Sequence, residues 1–158
     1  MSRPAGNQLP AAVRSLLSGD RLEDVVGLTA QLITVDGDGW PRVALLSPGE
    51  ILATGPRRLR LALWPGSNTT ANLTRGGRAT LALVHEGASW YFRCSARRSR
   101  DMDLPGGRNL AAFALIVDEA LEDAVPDARL THGICFQLAE PEATLAAWRE
   151  SLAALRES

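Results

Sequence analysis

Apolar positions recur at two different periods along this chain, and the switches between them divide it into elements. Leu9, Val13, Leu16 and Leu17 fall at i, i+4, i+7 and i+8, with Pro10 near the start and Gly19 after the end, which predicts a short opening helix. From Leu28 the period drops to two. LTAQLITV, a DGDG turn and WPRVALLS read as the two strands of a hairpin, and Glu50 to Ala53 extend the second strand beyond a kink at Pro48 and Gly49. LRLALW (59–64) is a third strand and RATLALV (78–84) a fourth. SWYFRCSARRS is a fifth, with Tyr91, Arg93, Ser95 and Arg97 on one face and Phe92, Cys94 and Ala96 on the other. The alanines and leucines of LPGGRNLAAFALIVDEAL suit a helix, but Phe113, Leu115 and Val117 alternate, so a strand is read from about Ala112 to Leu121. HGICFQL supplies a last strand. After Pro141, Leu145, Trp148, Leu152 and Leu155 recur at three and four, an amphipathic terminal helix of about four turns. Six or seven strands with short flanking helices, and no repeat or linker, predict one mainly β domain over residues 1–158, a β-barrel or an α+β fold.

Composition narrows the partners. An apolar fraction of 46% with 22% charged residues is globular, and a net charge of −1 offers no general attraction to nucleic acid or anionic membrane, so neither is expected. Cys94 and Cys135 lie far apart without metal-type spacing, which favours two buried thiols in a reducing cytoplasm. MSRPAGNQLP has no apolar core of signal-peptide length, and no later run is long enough to span a bilayer. A soluble, cytoplasmic protein is expected. All seventeen basic residues are arginine, from which no function is drawn.

WPGSNTTANL (64–73) carries the most chemistry. Pro65 and Gly66 break the preceding strand, Ser67 or Asn68 can accept from the first free amides of a helix under three turns long, and Gly76 offers an exit. One polar side chain is enough for a cap. Here Ser67, Asn68, Thr69 and Thr70 stand together where helix amides and dipole favour negative charge, so capping and anion binding both remain open.

TVDGDGWPRVALLS (34–47), LALWPGSNTTANL (61–73) and GGRATLALV (76–84), in this order, resemble the pyridoxamine 5'-phosphate oxidase-like family of flavin-binding split β-barrels. The likeness covers residues 25–100 well and the remainder loosely. It implies a split barrel with Greek-key-like strand order and a C-terminal helix, a homodimer, and FMN at the interface between subunits. Carried onto this sequence, Arg42, Val43, Ala44, Leu45 and Ser47 would flank the flavin, Leu63 and Trp64 would stand near the ribityl chain or ring, and Ser67, Asn68, Thr69 and Thr70 would surround the phosphate. Family oxidases place a basic pair where Asn68 and Thr69 stand. Charge-assisted bonds to phosphate are the stronger kind, so this site is weaker unless Arg42, Arg75, Arg78 or Arg108 restores the charge. The family's C-terminal segment for pyridoxal phosphate is also missing, so pyridoxamine phosphate oxidase activity itself is not expected. The resemblance leaves a flavin-dependent oxidoreductase of a small substrate, or a non-catalytic flavin carrier, with deazaflavin, haem or no cofactor as alternatives.

Other candidates are weaker. His85 and His132 sit beside turns or strand ends, where catalytic or haem-ligand roles compete with plain exposure. No GxSxG elbow or His/Glu cluster of metal-ligand spacing is present. Arg57, Arg58, Arg60, Arg93, Arg97, Arg98 and Arg100 read as solvated strand faces. GGRNL (106–110) reads as a loop, or as a closure over a ligand. Trp40, Trp90 and Trp148 read as packing or dimer-contact residues.

Overall fold

The computed structural model describes residues 1–158. Its elements run β1 (Arg3–Pro4), α1 (Ala11–Leu16), β2 (Ala30–Val35), β3 (Pro41–Leu46), β4 (Ile51–Gly55), β5 (Arg58–Leu63), α2 (Asn68–Gly76), β6 (Arg78–His85), β7 (Ala88–Leu104), β8 (Arg108–Asp123) and α3 (Pro141–Glu157). Every strand pairing is antiparallel, in the order β3-β2-β6-β7-β8-β5-β4, with the two-residue β1 added to β8.

That order forces curvature. β3 and β4 are consecutive in sequence yet lie at opposite ends of the sheet. The five peptide steps from Leu46 to Ile51 reach at most about 18 Å, whereas the edges of a flat seven-stranded sheet stand about 29 Å apart. The sheet therefore curls until its edges approach, but β3 and β4 do not pair, so the barrel is split. Register shifts in β7 between Arg93 and Cys94 and between Arg98 and Asp101 supply local bending.

The period-two pattern sorts side chains between two cores. Inside the barrel, Leu32, Ile51, Leu59, Leu61, Leu81 and Phe92 pack with Val13 of α1 and Leu73 of α2. Outside it, Leu52, Ala62, Met102 and Leu110 face Trp148, Leu152 and Leu155 of α3. α3 thus covers the outer face of the strands next to the split. α2 is fastened to β2 by a buried polar pair, with Asn72 Nδ2 donating to Thr34 Oγ1 at 3.0 Å. Arg75 donates to the Val35 carbonyl at 2.8 Å and to Asn72 Oδ1 at 3.0 Å.

Three expectations are corrected. Residues 50–53 do not extend β3. Ser47 to Glu50 form a turn, closed by the Glu50 amide donating to the Ser47 carbonyl at 3.1 Å, and β4 pairs with β5. HGICFQL is not a strand: both sides of β2 are taken by β3 and β6, and only an isolated bridge joins Cys135 to Leu28. Cys94 is buried as expected, but Cys135 is exposed, because the segment carrying it lies on the surface. In addition, β8 starts at Arg108, earlier than the alternation suggested, and the exit of α2 is Gly77 rather than Gly76. Gly77 takes φ 60° and its amide donates to the Leu73 carbonyl at 2.9 Å.

Candidate functional site

The start of α2 divides its four polar side chains into two pairs. Ser67 is the N-cap: its Oγ accepts the Thr70 amide at 3.1 Å. Thr70 is buried, and its hydroxyl donates to the Trp64 carbonyl at 2.8 Å. These two side chains are committed to the turn. Asn68 and Thr69 make no side-chain hydrogen bond within the chain, and their backbone amides also have no acceptor there. Capping and anion binding therefore do not exclude each other, since different residues serve each.

β3 supplies the apolar part. It is an edge strand, so the side facing away from β2 keeps its backbone groups unpaired from Pro41 to Leu46. Val43 and Leu45 point outward and are 59% and 54% exposed, with Val35 and Trp40 exposed near the hairpin turn. Ala44 lies on the opposite face and packs against the barrel core, and Leu63 is buried in that core. Alternation thus turns two of the expected flavin neighbours inward. Trp64, one residue on, is 61% exposed.

Ser47 and Glu50 join two cavities. One, of about 440 Å³, lies between the barrel and α3 and is lined by Ser47, Glu50, Ala62, Trp64, Arg108 and Trp148 among others. The second, of about 350 Å³, is bounded by Thr29, Leu45, Leu46, Ile134 and Phe136 together with the same Ser47 and Glu50. The Ser47 amide and hydroxyl both donate to Glu50 Oε2 at 2.7 Å, which fixes the turn between them. Glu50 was missed in the sequence, although Ser-x-x-Glu is the spacing of a reciprocal cap and could have flagged it.

The arginines that could restore charge at the phosphate end are mostly committed. Arg42 Nε lies 3.2 Å from Asp36 Oδ2. The Trp40 amide above all, with smaller contributions from the Asp38 amide and Arg42, outweighs desolvation and holds the Asp36 carboxyl below its ordinary range. Arg75 is bound to Val35 and Asn72, and Arg108 is paired with Glu150. Arg78 makes no side-chain contact of this kind and lines a separate cavity of about 380 Å³ with Ile33, Thr80 and Arg93. Elsewhere along β7, Arg93 pairs with Glu119 and Arg98 with Asp101. Gly106 and Gly107 make the β7–β8 turn at positive φ, while Arg108, Asn109 and Leu110 already belong to β8, so only the glycines of GGRNL form the hairpin turn. His85 and His132 come together along a smaller cavity of about 170 Å³ with Glu86 and Cys135.

FMN makes three demands: a flat apolar surface, polar groups for the pyrimidine edge, and donors for a phosphate. The exposed Val43 and Leu45, the unpaired edge of β3, and the free donors of Asn68 and Thr69 match them in kind. The donor set is neutral, so the residues fit the group without a formal ion pair.

No family model matches the chain. The Bacillus subtilis (strain 168) protein YclD is 33% identical over 144 residues, spanning 89% of this chain and 91% of its own. Among solved structures, a Lactobacillus delbrueckii protein provisionally named a pyridoxamine 5'-phosphate oxidase has a TM-score of 0.57 at 19% identity, covering 76% of this chain and 98% of its own. HupZ of Group A Streptococcus has a TM-score of 0.54 at 14% identity, covering 82% of this chain and 99% of its own. These two structures share the fold.

Proposed function

The chain belongs to the family of the Bacillus subtilis protein YclD and has the split-barrel fold of pyridoxamine 5'-phosphate oxidase-like proteins; on that premise we propose that it binds FMN and serves as an oxidoreductase for a small substrate. The observation that carries this reading is the open edge of β3, with Val43 and Leu45 half exposed along it. An apolar strand face beside an unpaired backbone edge suits a ring that is apolar on its faces and polar at one rim. When bound, the flavin supplies hydride or electron transfer. The chain's own residues hold and orient it: Val43 and Leu45 against the ring, Ser47 and Trp64 at the cavity beyond, and Asn68 and Thr69 with their amides toward the phosphate. A second subunit on the same apolar face would complete the enclosure.

Titration of the purified protein with FMN, followed by quenching of flavin fluorescence, tests the cofactor. Saturable uptake is expected, and replacing Asn68 and Thr69 by Ala should weaken it by about tenfold or more, the loss of two neutral hydrogen bonds. Failure of the unaltered protein to take up FMN would remove this reading. The commitment of Arg42, Arg75 and Arg108 to other partners supports a second one, a flavin carrier without turnover. Anaerobic mixing of the loaded protein with NADH or NADPH separates the two. Rapid bleaching of the flavin marks the oxidoreductase, and persistent yellow colour marks the carrier.

A further inference from the structure

Thr29 Oγ1 is the one buried side-chain nitrogen or oxygen in the protein with no hydrogen-bond partner. The residue is 6% exposed and lies just before β2. A sealed hydroxyl without a partner is costly, so its presence asks for a ligand or a reason. Thr29 lines the cavity of about 350 Å³ that also contains Leu45 and Ser47.

The lining defines what can bind. Leu45, Leu46, Ile134 and Phe136 make the walls, and no basic residue contributes. Glu50 is the one charged group, and its Oε2 already accepts two bonds from Ser47. An anion would meet a carboxylate and no cation, and would lose its hydration without compensation. The outer wall belongs to a segment after β8 that has few attachments to the barrel. The Phe136 amide donates to the Gly27 carbonyl at 3.3 Å, and Leu130 to Gly87 at 3.1 Å. Phe136 is also held edge-on to Trp148 of α3, with ring centroids 6.3 Å apart. Ile134 and Cys135 line the same cavity beside Thr29, and Cys135 is bridged to Leu28, so the Thr29 hydroxyl opens to the cavity only when that single bridge parts.

We propose that this cavity is the substrate pocket, and that it takes a small, uncharged, mainly apolar molecule bearing one hydrogen-bonding oxygen, such as a ketone, which the Thr29 hydroxyl anchors. Its role as a substrate pocket rests on the flavin reading, because Leu45 and Ser47 serve both. The selectivity for an uncharged oxygen compound rests only on the lining.

Fluorine NMR on the full chain tests it with three probes of similar size: 4'-fluoroacetophenone, 4-fluorobenzoate and 4-fluorobenzylamine. The ketone should show saturable line broadening, and the two charged probes should not. Thr29→Val should weaken the ketone by about five- to tenfold, the worth of one neutral hydrogen bond, while Thr29→Ser keeps it. Ile134→Trp, at a half-exposed position that tolerates size, should fill the cavity and abolish the effect. Equal or stronger binding of the acid or the amine would overturn the assignment. So would ketone binding that survives both Thr29→Val and Ile134→Trp, or no ketone binding at all. FMN titration of the same variants keeps the two readings apart. Thr29→Val should leave FMN affinity within about twofold, since it removes no bond expected to the flavin. Ketone binding without FMN uptake would remove the cofactor and leave the pocket.

Discussion

At the scale of single residues, burial decides chemistry that composition leaves open. The two thiols look alike in the sequence and differ sharply in the fold. Cys94 faces the barrel core, where burial foremost and the nearby Asp118 charge push its thiol up to about 12. Cys135 is exposed. Iodoacetamide at mildly alkaline pH should therefore label one thiol in the native protein and both after unfolding, as counted by mass spectrometry. The sign of the linked stability follows. Above the ordinary value of 9.0 an unfolded Cys94 ionises while the buried one keeps its proton, so stability should fall from there until about pH 12. Urea midpoints across that range, compared with Cys94→Ala, isolate the effect. A thiol in the native state that reacts as fast as Cys135 would contradict the burial. Residue type alone also narrowed the cap to Ser67 or Asn68, and the structure gives it to Ser67. It gave no sign that Ala44 and Leu63 face inward, because the direction of an alternating strand is set by what lies on either side of it.

At the scale of elements, turns govern the result. Strands β2, β3, β5, β6 and β7 and helices α1, α2 and α3 were all visible as periods of two or near four. β4 was misread because Ser-Pro-Gly-Glu looks like a kink in one strand and is instead a turn between two. The same turn carries a close approach: a Cβ on Gly49 would overlap the Trp148 side chain of α3. Its φ is ordinary, so the constraint is space and not backbone strain. Gly49→Ala should force Trp148 outward, loosen α3 and destabilise the protein by about 1–3 kcal/mol, the usual range for overpacking. Urea unfolding measures the loss, and tryptophan fluorescence should shift to the red in the folded variant. An unchanged midpoint would show that α3 does not rest on the turn. The His-Gly-Ile-Cys stretch after β8 illustrates the converse. Its apolar residues suggest a strand, but it meets the sheet only through one isolated bridge, Cys135 to Leu28.

For the whole molecule, one group of exposed apolar side chains shares a surface. Val35, Val43 and Leu45 lie on the outward face of β2 and β3, with Trp40 in the turn between the two strands. Clustering of large apolar side chains on one strand and its turn is the pattern of a contact surface. Under the proposed homodimer, Val43→Glu would place a charge in that contact and should yield a monomer with weakened FMN uptake, seen by light scattering coupled to size exclusion. A monomer in the unaltered protein at micromolar concentration would count against the shared site. No helix is long and apolar enough to cross a membrane.

The sequence by itself determined which segments alternate, where α2 is capped, and that hydroxyl and amide side chains gather at its start, because these depend on neighbours within a turn or two. It also carried the split-barrel resemblance, which lies in the order of three local motifs. Only the tertiary structure decided that β3 and β4 close on one another across a split, that the Ser47–Glu50 turn stands between two cavities, and that Thr29 is sealed without a partner. Each of those depends on contacts between segments distant in the chain or on which sheet face is covered, and a period of two is the same whichever face turns inward.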